Sequence, residues 1–328
     1  MLGKKIGLDL GTSTVRLVVR GEGPPLSEPS LVGLLQGEYT ASLIGMSALE
    51  HAGAAGLRLV KPMSGGLVVD TLAVRSLVQH LVTRAVGRQR IFKPDVVIAV
   101  TASLPGDQRR LLLDAAMAAG ARTVYLLDAC IAAALGAGLR LNTPAGNLVV
   151  DAGAGKTDIA VLATEGTDAQ RSLPGHGGDA LAASIAEHVR NAHGVTPAPV
   201  VIEEVLSSLA RIGQHEERRL RVEDQEGRSA ELTSTELLPL LESHVRPIAD
   251  ALCEVIEEAP RALLDDVRFS GGLLAGGASR LEGLDRYLSH ACGVTMRRER
   301  DPQLCVVRGT GYALDNLDVL KRNFMYIR

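Results

Sequence analysis

Two stretches of the chain carry the same alternation of apolar and polar positions. In the first, Ile6-Gly7-Leu8-Asp9-Leu10 is an apolar run carrying an aspartate near its end, followed by Gly11-Thr12-Ser13-Thr14 and a second run, Val15-Arg16-Leu17-Val18. In the second, Leu148-Val149-Val150-Asp151 passes through Ala152-Gly153-Ala154-Gly155-Lys156-Thr157 into Asp158-Ile159-Ala160-Val161. Short β-rich runs separated by small residues predict strand, tight turn, strand. Repetition of that unit predicts two similar lobes, each opening with a hairpin whose turn exposes backbone N–H groups.

Between the hairpins the period lengthens. Val74, Leu77, Val78, Leu81, Val82 and Ala85 recur at helical spacing behind Asp70, a candidate N-cap. Residues 96–100 form a continuous apolar run expected to be a buried strand, 106–119 a helix ended by Gly120, and 124–127 a strand leading into a helix over 131–136. Downstream, helices are expected over 179–193, stopped by Gly194, and over 201–212. The charged stretch 214–228 reads as a solvated hairpin on an outlying subdomain. Thr233 and Glu236 fit a capping box for a long helix through Glu258, bent at Pro239 and Pro247. The glycine cluster at 271–279 ends a strand and is expected to open a helix over 280–290. Strands and helices alternate, so the fold class is α/β.

Composition narrows the function. A chain of 328 residues suggests two lobes, and 46% hydrophobic with 22% charged residues is ordinary for a globular protein. The 35 basic and 38 acidic residues give a net charge of −3, and aromatics are only 2%, which argues against a nucleic-acid partner. Cys130, Cys253, Cys292 and Cys305 lie too far apart for a CxxC pair and read as reduced thiols. Neither a leader-like N-terminus nor 18 consecutive apolar residues occurs, so a cytoplasmic location is expected. The eight histidines show no HExxH and no ligand spacing with cysteine, so no zinc site is expected.

The turns point to phosphate. A phosphate tail needs converging backbone donors, small residues that permit close approach, and a metal to offset its charge. Gly11, Thr12, Ser13 and Thr14, and likewise Gly153, Ala154, Gly155, Lys156 and Thr157, supply the first two, while Asp9 and Asp151 stand where a carboxylate holds Mg²⁺ through water. Gly155-Lys156-Thr157 imitates the end of a Walker A loop, but Val150 occupies the position where that loop requires its first glycine. Glycines in the cluster at 271–279 would let a flat adenosine lie against backbone.

The order of these motifs resembles the actin, Hsp70 and sugar kinase superfamily over nearly the whole chain, and within it the MreB-like bacterial actins. The resemblance includes Glu28-Pro29-Ser30, Lys61-Pro62-Met63 with Gly66 and Asp70, Arg109-Arg110, the run from Ala132 to Gly138, Gly177-Gly178-Asp179 and Gly309-Thr310-Gly311. It implies an actin-like (ribonuclease H-like) fold with a nucleotide cleft between two lobes. Residues 1–28, 66–140 and 304–328 would form the core of lobe I and 29–65 its small outer subdomain. Residues 141–175 and 248–303 would form the core of lobe II and 176–247 its outer subdomain. Asp9 and Asp151 would lie near Mg²⁺, residues 12–14 and 153–157 around the phosphates of ATP or ADP, and Gly276, Gly277, Ala278 and Ser279 near the nucleoside, with Gly177, Gly178 and Asp179 also binding the cofactor at the cleft.

It further implies head-to-tail filaments on the inner face of the cytoplasmic membrane that organise cell-wall synthesis with the elongation machinery. Ile91-Phe92-Lys93-Pro94 occupies the place of the apolar loop that dips into lipid. Two such side chains bind a bilayer weakly in one monomer and well when many copies are linked.

Departures from the family pattern bear on turnover. Where relatives read Glu-Glu-Pro, with the second Glu positioning the attacking water, this chain reads Asp128-Ala129-Cys130. Ala129 accepts no hydrogen bond, and Asp128 has the chemistry one residue early on a shorter arm, so slow or absent hydrolysis is expected. Lys156 and Ala154 replace Thr and Gly; the lysine either grips phosphate or points into solvent. Ala278 replaces a glycine, and the helix at 201–208 offers Glu203 and Glu204 but no lysine for the ribose. The alternatives are a hydrolysis-deficient nucleotide-binding scaffold or modulator of an active paralogue and, in another class, a small-molecule kinase of the same superfamily.

Overall fold

Both aspartate-bearing runs form hairpins. The computed structural model describes residues 3–35, 41–87, 92–163, 166–213, 216–316 and 325–327. In chain order these contain β1 (Lys5–Leu10), β2 (Thr14–Val19), β3 (Leu26–Pro29), β4 (Val32–Leu35), β5 (Ala41–Ile44), α1 (Met46–Glu50) and β6 (Leu57–Val60). The short strands β7 (Met63–Ser64) and β8 (Leu67–Val68) lead to α2 (Thr71–Val86), β9 (Asp95–Val100), α3 (Gly106–Ala118), β10 (Thr123–Asp128) and α4 (Ala129–Gly136). The second half contains β11 (Asn147–Ala152), β12 (Lys156–Ala163), β13 (Gly166–Pro174), α5 (Gly178–His193), α6 (Pro199–Ser208), β14 (Arg219–Glu223), β15 (Ser229–Thr233), α7 (Ser234–Glu258) and α8 (Arg261–Ser270). It continues with β16 (Gly272–Ala275), α9 (Leu284–Cys292), β17 (Met296–Arg298), α10 (Cys305–Ala313) and β18 (Met325–Ile327).

The repeat seen in the sequence is a repeat of topology. One sheet runs β18-β10-β9-β1-β2-β3 and the other β13-β12-β11-β16-β17. In each, the aspartate-bearing strand pairs antiparallel with its hairpin partner on one side and parallel with a later strand on the other: β1 with β2 and β9, β11 with β12 and β16. Flanked on both sides, β1 and β11 bury Ile6, Leu8, Leu148, Val149 and Val150, which is why they read as apolar runs. The register sets Asp9 opposite Arg16 and Asp151 opposite Asp158.

The helices follow their periodicity. The Asp70 side chain accepts from the Ala73 N–H at 2.8 Å, and α2 buries all six of the residues that recur along it. Gly194 ends α5 in the left-handed region at φ 67°. The charged stretch is the β14–β15 hairpin, with Gln214 and His215 outside the described residues. Two boundaries differ from expectation. Helix α6 stops at Ser208, because Arg211 is drawn into a bridge with Glu282 and the Ile212 N–H donates to the Glu282 carbonyl at 2.8 Å. The helix expected from 280 starts at Leu284, because Gly283 in the left-handed region at φ 86° interrupts the chain after a single 3₁₀ turn.

Between the two sheets lies a shared core of α4 and α10. It gathers Val97, Ala99, Tyr125 and Leu127 from one sheet, Val149, Ala160, Leu162, Leu273 and Ala275 from the other, and Ile131, Ala132, Ala133, Cys305 and Val306 from the helices. The helices touch backbone to backbone: a methyl group on Gly309 would collide with the Ala132 carbonyl, and one on Gly136 with the Cys305 carbonyl. Neither can move aside without separating the helices. Gly309→Ala is therefore expected to cost about 2–3 kcal/mol, or more, through overpacking. Gly106→Ala, at an open helix start with no neighbour within 4 Å, should leave stability unchanged or slightly higher. Urea midpoints of the two variants measured side by side test this, and equal midpoints would refute it.

Candidate functional site

The two hairpin turns face each other across one cavity. Asp9, Gly11, Thr12, Ser13 and Thr14 line it from one lobe and Asp151, Gly153, Ala154, Gly155 and Lys156 from the other, with Gly276 and Gly277 closing the side. Gly155 marks the closest approach of the turns. A Cβ there would strike the Thr12 hydroxyl and come within 2.8 Å of the Gly65 nitrogen. The second turn is itself held by the start of α5: the Gly178 N–H donates to the Gly153 carbonyl at 3.0 Å and the Asp179 N–H to the Ala154 carbonyl at 2.8 Å.

Charge in this cavity is crowded. Asp9 lies 3.5 Å from the Arg16 guanidinium. Burial pushes its carboxyl above the ordinary value, and Arg16 and Lys156 act against the shift. Asp151 is pushed up to about 6 by burial, which Lys156 opposes and the neighbouring Asp9 charge reinforces. Lys156 does not point into solvent. Its stem lies against Gly66 of the other lobe, where a Cβ would fall 2.6 Å from Cε, and its ammonium pairs with Asp158. The Ser172 hydroxyl donates to that Asp158 carboxylate at 2.5 Å and the Thr101 hydroxyl at 3.4 Å. Burial holds the Lys156 ammonium below its usual range despite the surrounding carboxylates.

A second cavity of 590 Å³ continues from the first, sharing Ser13, Ala154 and Gly277 with it. Its lining includes Gly178, Asp179, Glu203, Ser207, Ala278, Arg280 and Arg298. That volume falls within the roughly 300–1,000 Å³ of small-molecule sites. Gly276 at φ 82° is required at the junction, since a Cβ would meet the Ala152 carbonyl. The Ala278 methyl lies on the cavity wall. Across the cleft mouth, Lys61 Nζ donates to Asp179 at 3.0 Å, an exposed pair worth at most about 1 kcal/mol.

Four sequence candidates lie outside the linings of these two cavities. The buried Thr157 hydroxyl donates to the His176 carbonyl at 2.5 Å, and the buried Ser279 hydroxyl to the Gly276 carbonyl at 2.6 Å. Gly177 leaves no room for a side chain beside the Ala154 carbonyl. Asp128 caps α4 by accepting from the Cys130 N–H at 2.7 Å and lines a separate cavity with Asp158, Arg171 and Ser172. It is Ala129 that lines the first cavity. Of the proposed lipid loop, Phe92 is 48% exposed and Ile91 lies outside the described residues.

Sequence reasoning missed Arg16, Gln303, Arg280 and Arg298 in the linings. Counting back through the hairpin register would have found Arg16, directly opposite Asp9. The other three lie in segments with no repeat to flag them.

A family model described as MreB/Mbl protein matches residues 3–322. The chain is 29% identical to the cell shape-determining protein MreB of Escherichia coli K12, covering 97% of this chain and 95% of that protein. It is 28% identical to the cell shape-determining protein Mbl of Bacillus subtilis 168, covering 98% and 99%. Among solved structures it resembles MreB5 of Spiroplasma citri bound to ADP, with a TM-score of 0.86 at 24% identity and 98% of both chains covered. It also resembles the MamK double helical filament, with a TM-score of 0.81 at 21% identity, covering 95% and 98%. These likenesses establish the actin-like fold.

Because burial raises the Asp151 pKa, the native state holds its proton more tightly than the unfolded chain, and ionisation of this carboxyl opposes folding. Asp151→Asn should therefore melt at a higher temperature than the parent at pH 8, without ligand. The advantage should shrink as pH falls from about 6 toward the ordinary carboxylate value near 4. Calorimetric scans of both proteins over that range test it, and equal melting temperatures at pH 8 would exclude it.

Proposed function

The chain belongs to the MreB/Mbl family, and from that premise we propose that it is an actin-like cytoskeletal protein that binds adenine nucleotide in the cleft between its lobes and assembles head to tail into filaments on the inner face of the cytoplasmic membrane. The observation that carries this reading is the convergence of the 11–14 and 153–156 turns and Gly276–Gly277 on one cavity. Backbone N–H groups at the glycine-rich turns form an anion-binding surface, and the adjoining cavity has the size for a nucleoside. MreB5 of Spiroplasma citri has been solved with ADP and with AMPPNP, which supports the same ligand class here.

Asp9 and Asp151 suit Mg²⁺: both are hard oxygen donors on the cavity wall, and a dication would stabilise the charged carboxylates that burial disfavours. When bound, the ion would offset phosphate charge. The chain's own groups would do the rest, with the turns orienting the phosphates and Arg16 and Lys156 contributing positive charge inside the cleft. Gly178, Asp179 and Glu203 would face the nucleoside. The same reading assigns 29–65 and 176–247 to the outer subdomains of the lobes.

Turnover is slow in this reading, since Ala129 on the cavity wall cannot orient water and Asp128 is engaged as a helix cap. Filament assembly follows from a heterologous contact that does not close. No helix among the described residues is long and apolar enough to cross a membrane, so attachment would be peripheral, through Ile91 and Phe92 and the avidity of many linked copies. By extension from its cell shape-determining relatives, the filament would organise cell-wall synthesis.

Electron microscopy of the purified protein on anionic lipid, with and without ATP and Mg²⁺, should show filaments that detach in an Ile91→Ser, Phe92→Ser double variant. Failure to form filaments in every nucleotide condition would overturn the cytoskeletal reading. Ala129→Glu should raise phosphate release about tenfold or more over the parent; no gain despite normal ATP binding would remove position 129 from the account.

A further inference from the structure

Away from the nucleotide cleft, the end of α5 and the first turn of α7 bring together two imidazoles and a carboxylate. The Nε2 atoms of His188 and His193 approach the same oxygen, Oε1 of Glu236, at 2.7 and 2.6 Å. The three ligand atoms all lie within 4.8 Å of one another. The side chains are 30%, 25% and 25% exposed, sheltered by the helices yet open to a small ion.

Helical spacing alone does not produce this cluster. Residues five apart on a straight α-helix point about 140° from each other. The two rings meet because each reaches toward the same Glu236 oxygen, His193 from the last residue of α5 before the left-handed Gly194. Glu236 comes from the other side. The Thr233 hydroxyl accepts from the Glu236 N–H at 3.1 Å, half of a capping box. The carboxylate that would complete the box by turning back to Thr233 reaches the imidazoles instead, while Thr233 pairs with Arg219 in the hairpin.

We propose that His188, His193 and Glu236 bind a divalent transition-metal ion of the zinc class, tying α5 to α7. Two imidazole nitrogens with one carboxylate oxygen match the donor set that zinc takes in sites with three protein ligands, leaving a fourth position for water. Tetrahedral bonds of about 2.0–2.1 Å require ligand atoms roughly 3.3 Å apart, so the carboxylate oxygen would retreat by roughly 0.6 Å from each nitrogen. That is a small rotation of a three-torsion side chain. The expectation of no zinc site rested on spacing along the chain, and the third ligand lies 43 residues beyond His193 on another helix. The first turn of α5 lines the nucleoside cavity through Gly178 and Asp179, so the ion would brace the far end of a helix that faces the proposed ligand.

Chelator-stripped full-length protein, titrated with ZnCl₂ in excess Mg²⁺, should take up one ion per chain in the micromolar range or tighter and melt at a higher temperature. His193→Gln and His188→Gln, with far-ultraviolet circular dichroism as a check on folding, should each weaken uptake by about tenfold or more. Four free thiols are competing ligands, so the cobalt form of the unmodified protein decides independently of any variant. It should show visible d–d bands with no near-ultraviolet thiolate-to-cobalt band. No stoichiometric zinc uptake, a thiolate band, or unchanged affinity in His193→Gln would each overturn the proposal and leave the trio as an ion-free hydrogen-bonded cluster.

Discussion

Everything in the cleft is positioned by the contact between α4 and α10. Their backbones meet at Gly136 and Gly309, and the pair fills the space between the two sheets, with α10 against β1, β2 and β9 and α4 reaching β11 and β12. The sheet spacing is therefore set by the absence of two methyl groups. Because β1 and β11 are the central strands on either side, that spacing fixes how far apart their turns, and with them Asp9 and Asp151, can be. A dense apolar layer of alanines, Ala132 to Ala134, leaves little freedom for the lobes to slide on this axis.

On this rigid base stands a deliberately uncomfortable site. Asp9 and Asp151 are buried where their charge is disfavoured, and Lys156 is buried beside them where its own charge is disfavoured too. The structure tolerates this because the groups offset one another and because Asp158 is anchored by Ser172 and Thr101. Such an arrangement is poor for stability and suited to binding, since a polyanion with its cation would meet groups already oriented toward it.

Much of the fold was legible because it follows local rules. Apolar runs gave the central strands, a single 3.6-residue stripe gave α2, and Gly194 and Asp70 marked helix ends. The hairpin repeat marked most of the residues that line the first cavity. What escaped depended on distant partners. Helix α6 ends early because of Glu282, more than 70 residues downstream of Arg211. The direction of Lys156 was undecidable from sequence, since its stem lies against Gly66 of the opposite lobe and its ammonium pairs with Asp158. Asp128 has the right chemistry for a catalytic acid, yet its place at a strand-to-helix corner commits it to capping.

The three-residue strand β18 runs antiparallel along β10, at one rim of the six-stranded sheet. A bare rim offers unpaired amides and carbonyls to any passing strand, the usual route to unregulated sheet extension. With β18 in place, the outermost strand at that rim, among the described residues, is only three residues long, so it offers another chain few groups to pair with. A foothold that small would hold an intruding strand by few main-chain bonds, and so only briefly.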